Sequence, residues 1–183
     1  MHVPNISKEY VQSFCRRVVP GGKPIYVPVQ PLPNKPVNEC FAIIPEHVSR
    51  YGGEQRVGWA IWEPWRKVLI EAEFHAIWKS PQREMIDLTP KEVSIQQILF
   101  IHDPRREYEG LAVNNIRHPL VRDSRVRRLC ELYELRFAEL NKGDLAYQYG
   151  RIALSGEAAD RMRKIQDEME QLTRDLMRVY PKR

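Results

Sequence analysis

The chain has 183 residues, 43% apolar and 29% charged, the composition of a globular domain rather than of a disordered one. Its 29 basic residues against 24 acidic ones leave a charge of +5, which permits an acidic partner but falls short of a nucleic-acid-binding signature. Cysteines at 15, 40 and 130, without a Cys-x-x-Cys spacing, exclude a disulfide scaffold and a four-ligand zinc site.

No stretch approaches the ~20 apolar residues of a membrane span, and residues 1–5 carry no basic leader. The expectation is a cytoplasmic protein with reduced cysteines, no membrane contact and no cofactor.

In chain order, Ile6, Tyr10, Val11, Phe14 and Val18 share one helical face and predict a first helix over 6–19. Prolines 20, 24, 28, 31, 33 and 36 predict an extended segment over 20–36 with few donors for a sheet, placed as a wall in front of Cys40. Residues 38–51 read as a helix capped by Asn38 and stopped at Gly52-Gly53. Within it, Pro45 predicts a kink or a later start.

Residues 56–62 and 67–78 read as strands. In the second, Val68, Ile70, Ala72, Phe74, Ala76 and Trp78 alternate with Leu69, Glu71, Glu73 and His75, so the Glu-Glu-His row is expected to face a cleft or solvent. Two further strands over 85–88 and 95–101 complete an α+β core spanning residues 1–103.

Residues 104–183 read as a helical extension. Val126, Cys130, Tyr133, Phe137 and Leu140 form one stripe; Ala158, Met162, Ile165, Met169, Leu172, Leu176 and Val179 form another. Spacings of four and three predict an antiparallel hairpin of helices over 126–145 and 157–180, with the turn at 150–156 and Ser155 as a cap. The extension holds 17 Lys+Arg and 13 Asp+Glu, a net +4. Interleaved acids predict a solvated, salt-bridged surface, and nucleic acid is not the expected partner. The stripes also offer a homodimer or protein-partner surface.

The chemistry concentrates in three residues. Cys40 sits where the first amides and dipole of a helix stabilise a thiolate. His75 lies on a strand, and Asp87 follows the next short strand. A thiol, an imidazole to take its proton and a carboxylate to orient the imidazole are the minimum parts of a cysteine acyl-transfer enzyme. Gln30, Asn34 and Asn38 are upstream amides that serve as oxyanion candidates. Trp59, Trp62 and Glu73 are the candidates for a substrate pocket, with Trp65 a further aromatic.

A Cys opening a helix, a strand with the run His75-Ala76-Ile77-Trp78, and Asp87-Leu88-Thr89-Pro90 in a short hairpin resemble the transglutaminase-like branch of the papain-type thiol enzymes. The likeness covers about residues 38–103. It implies a Cys-bearing helix packed on an antiparallel sheet, followed here by the helical hairpin. It also implies attack of Cys40 on a peptide, protein or other amide substrate through an acyl-thioester. The chain departs from that pattern at Pro45, in its compact Cys-to-His spacing and in lacking a Trp before the Cys. The run Glu71–Ala76 is also similar to a family of uncharacterised bacterial and phage proteins, a likeness that implies no activity.

Two rivals stand beside this reading. One is a non-catalytic module whose hairpin, with Arg122, Arg125, Arg127 and Arg128, binds an acidic protein or nucleic acid. The other is a metal-dependent hydrolase on Glu71, Glu73 and His75, with His47 or His102 as a further ligand. No metal-binding motif supports the second, so no metal is expected.

Overall fold

The alternating run becomes β3 (Leu69–Lys79), paired antiparallel with β2 (Glu54–Trp65) in the register Gly58↔His75, Ala60↔Glu73 and Trp62↔Glu71. This computed structural model describes residues 2–148, 150 and 152–181, so the turn predicted over 150–156 falls partly outside the described residues. Among the described residues the fold is α+β: six strands form one antiparallel sheet, and four α-helices pack on it or on each other. The remaining strands are β1 (Ile25–Pro28), β4 (Met85–Ile86), β5 (Gln97–His102) and β6 (Ile116–Pro119). Their order is β1-β5-β2-β3-β4, with β6 on β3.

The sheet curls until its edges meet. Beyond β1, Val29 bridges Asp87; Asp87 N–H donates to the Pro28 carbonyl at 2.9 Å, and Gln30 N–H to the Asp87 carbonyl at 2.9 Å. Prolines were expected to keep 20–36 out of the sheet. Ile25, Tyr26 and Val27 nevertheless supply a strand between Pro24 and Pro28, because proline is tolerated at a strand's end.

Alternation gives this curled sheet two differently filled faces. The outer face carries Trp59, Ile61, Ala72, Phe74, Ala76, Leu99 and Ile101 under α1 (Glu9–Val18) and α2 (Cys40–Tyr51). The inner face holds Val27, Ala60, Trp62, Ile77, Ile98 and Phe100. Gly58 lies tight against the neighbouring β5: a Cβ there would stand 2.2 Å from the Ile101 carbonyl oxygen and 2.9 Å from the Phe100 ring. Glu71, Glu73 and His75 share the inner face. Contrary to the expected cleft or solvent exposure for the whole row, Glu71 and His75 are buried, and Glu73 is half-buried.

Helix α2 starts two residues later than predicted. Asn38 adopts φ 62°, and Glu39, whose side chain makes no capping bond, occupies the N-cap position. Pro45 remains inside the helix. Its missing N–H deprives only the Phe41 carbonyl of an i→i−4 partner.

Residues beyond 103 are not wholly helical, since β6 adds a strand to the core sheet. The hairpin follows as α3 (Ser124–Leu140), a 3-10 turn (Gly143–Tyr147) and α4 (Gly156–Val179). Asp123 caps α3 by accepting from the Arg125 amide, whereas Ser155 makes no side-chain cap on α4. Val126, Leu129 and Leu176 bury against Trp65, Val68 and Leu69, which docks the hairpin on the β2–β3 end of the sheet. Arg117 joins the two parts: its Nε lies 2.6 Å from Glu71 Oε2, and its guanidinium lies over Tyr133.

Among the described residues no helix is long and apolar enough to cross a membrane.

Candidate active site

Asp87 continues the line of β4 beside β3, and the two carboxylate oxygens divide their work. Oδ1 accepts from the Thr89 amide at 3.0 Å and shapes the turn into Pro90. Oδ2 lies 3.1 Å from His75 Nε2 and 2.9 Å from Lys91 Nζ, with His75 and Asp87 both buried. Lys91 Nζ is also 3.3 Å from His75 Nε2. Nε2 is thus engaged, which leaves Nδ1 as the ring nitrogen for a thiol.

The electrostatics follow from this enclosure. Burial pulls the His75 pKa down, but the charges of Asp87 and Cys40 outweigh burial and the repulsion of Lys91, lifting it from 6.5 to about 10. Burial pushes Asp87 up, yet the cations of His75 and Lys91 hold it well below the usual carboxylate range. At neutral pH the cluster therefore carries an imidazolium and a carboxylate.

Cys40 is the first residue of α2, where the opening amides lack partners within the helix. It belongs to the outer apolar cluster with Ile44, Phe74 and Ala76, whereas alternation sets the His75 side chain on the inner face. β6 covers β3 only as far as Ala72, and pairing with β4 begins at Trp78, so among the described residues the edge between them has no strand partner. Segment 87–91 passes there, and Asn38 N–H donates to the Pro90 carbonyl at 3.1 Å, bringing the start of α2 to this gap. Charge couples Cys40 to the ring, but among the described residues no hydrogen bond joins Sγ to His75. Burial pushes the other two thiols, Cys15 and Cys130, up to about 11.

The other candidates separate clearly. A cavity of about 240 Å³ adjoins the charge cluster, with Asn38, Trp62, Glu73 and Lys91 in its walls. Trp62 Nε1 donates to Glu73 Oε2 at 2.7 Å across the β2–β3 pair. Trp59 belongs instead to the outer core and donates to Asp103 Oδ2 at 3.3 Å, so it is corrected from pocket wall to packing. Trp65 is likewise structural, donating to the Tyr180 carbonyl at 2.9 Å. Gln30 is tied by its backbone to Asp87, and Asn34 is exposed at a left-handed turn with φ 60°.

The residues of the metal reading are dispersed. Glu71 pairs with Arg117, His47 rests against Trp78, and His102 Nδ1 meets the Val57 carbonyl. Among the described residues no group of three or more His, Cys, Asp or Glu side chains is placed to hold a metal ion.

Lys91 is the site residue that sequence reasoning missed. It lies four residues after Asp87, a pairing distance on a helix, but here a proline turn brings it back. Its only sequence signal was a basic residue immediately after Asp87-Leu88-Thr89-Pro90. No family model, curated protein or solved structure matches this chain.

Proposed function

We propose that the chain is a cysteine-dependent acyl-transfer enzyme with a papain- or transglutaminase-like site, in which Cys40 attacks an amide carbonyl. The buried His75–Asp87 pair carries this reading: it occupies Nε2 of the ring, and Cys40 opens a helix within electrostatic reach of the ring. Apo sites commonly hold such partners farther apart than their reactive complexes do, and closure at the unpaired edge of β3 brings Sγ to Nδ1.

The thiolate then adds to the carbonyl carbon, and the developing oxyanion is met by the Cys40 amide and the Asn38 side chain. His75 gives its proton to the leaving amine as the C–N bond breaks, forming the acyl-thioester. Water or an amine, deprotonated by His75, attacks that ester; the C–S bond breaks and the thiolate returns. Asp87 fixes the tautomer and stabilises the imidazolium throughout.

The test is alkylation of the native chain with iodoacetamide at neutral pH, with each cysteine followed by mass spectrometry. Cys40 should react well ahead of Cys15 and Cys130, and His75→Gln should abolish that lead. Equal rates at the three sites would sink the thiolate, as would retained amide turnover in Cys40→Ala.

A further inference from the structure

Of the acidic side chains that line or adjoin the inner-face site, two are matched. Glu71 pairs with Arg117, and Asp87 with His75 and Lys91. Glu73 differs. Its Oε2 accepts only the Trp62 indole proton, and among the described residues it pairs with no Lys, Arg or His. A half-buried carboxylate held by one neutral donor is poorly compensated, so an incoming cation is favoured there.

Lys91 shares the cavity, but its charge is directed to Asp87 and His75, while Glu92 adds a second carboxylate to the wall. At about 240 Å³ the cavity takes the share of about eight liquid waters, at ~30 Å³ each, which is a side chain rather than a drug-sized ligand. Trp62, Val93 and Ile95 provide apolar wall for a methylene stem.

We infer that the cavity receives a basic side chain of the substrate, an ammonium or guanidinium on an alkyl stem, with Glu73 as its counter-ion. Glu73 stands two residues from His75 on the same face of β3, about 7 Å along the strand. A long basic side chain seated on Glu73 therefore places its own backbone near the imidazole. The word substrate rests on the thiol reading above; the cation preference of the cavity does not.

The experiment uses the full chain with Cys40→Ala, so that no acyl-enzyme forms, and follows tryptophan fluorescence. Three probes are titrated: the N-acetyl methylamides of lysine, arginine and norleucine. At least one basic amide should bind about tenfold tighter than the norleucine amide, a difference of about 1.4 kcal/mol. Glu73→Gln, which keeps an acceptor for the indole proton, should erase that preference without lowering the melting temperature. Added salt should weaken the basic probes alone. Whether lysine or arginine binds tighter identifies the cation.

Equal binding of all three amides would overturn the inference. So would a preference that survives Glu73→Gln, or no saturation by any probe at millimolar concentrations. Alkylation of wild-type Cys40 is scored separately: fast labelling without cation preference removes the cavity's role alone, and cation preference without fast labelling removes the thiol reading alone.

Discussion

Two groups of charges in this molecule have the same chemistry and opposite settings. On the hairpin, Arg128 Nε lies 2.7 Å from Glu168 Oε1, and Arg161 Nε lies 3.1 Å from Glu139 Oε1, both in contact with solvent. Inside the curled sheet, His75, Asp87 and Lys91 meet at similar distances with almost no solvent contact. Water screens the first group and makes it expendable, whereas the second carries a desolvation cost that close opposite charges must offset. A fold gains little stability from such a buried group that apolar residues would not supply. Its presence beside a cavity is the observation on which the proposed site rests.

The sharpest way to break this contrast is to remove the shared carboxylate. Asp87→Ala leaves His75 and Lys91 as facing cations and strips the Thr89 amide of its acceptor. The expected loss is about 3–5 kcal/mol, read as a lower midpoint in urea unfolding. A loss like that of a surface substitution would mean that water already reaches the cluster.

Next in size is the dependence on pH. His75 binds its proton more tightly folded than unfolded, with its pKa raised from 6.5 to about 10. That stabilisation is complete below about pH 6.5 and drains away as pH rises through about 10. The melting-temperature advantage of wild type over His75→Gln should therefore shrink steadily across that interval. Asp87 acts in the opposite range: its contribution is present above the ordinary carboxylate pKa and is lost as pH falls through its lowered one. A gap between the two proteins that ignores pH from 6.5 to 10 would refute the charged imidazole.

How much of this was legible follows from which interactions are local. The alternation of 67–78 fixed the faces of β3, and so placed His75 and Glu73 together. Asp87 followed from a strand-and-turn pattern, and its two oxygens serve both the turn into Pro90 and the imidazole. What local patterns could not carry was curvature. The meeting of Pro28–Gln30 with Asp87 closes the sheet and turns a presumed polar face into an interior. Alternation alone sets Trp59 and Trp62, three residues apart on one strand, on opposite faces and so in different cores. Strand β6 was missed because four residues between loops carry too little periodicity.

A subtler variant separates the two cations of the cluster. Lys91 lowers the affinity of His75 for its proton while also neutralising Asp87. In Lys91→Met the imidazole keeps the carboxylate to itself, so its titration midpoint, followed by the ring proton resonances in NMR, should rise further. A fall would show that Lys91 supports the imidazolium by ordering Asp87 rather than opposing it by charge.

The smallest effect is expected on the hairpin, and its smallness is informative. Arg128 contacts both Glu131 and Glu168, and hydrogen bonds first, with the paired charges behind them, hold its own pKa up and that of Glu168 down. Those shifts describe charges that attract each other through water, and the side chains must also be ordered to meet. Arg128→Ala should leave the urea midpoint almost where it was, and added salt should erase even that difference. The Asp87→Ala loss should persist in the same salt, because ions cannot screen charges that they do not reach. If the two variants respond alike to salt, the inner cluster is solvated, and the case for a built site at His75 loses its electrostatic basis.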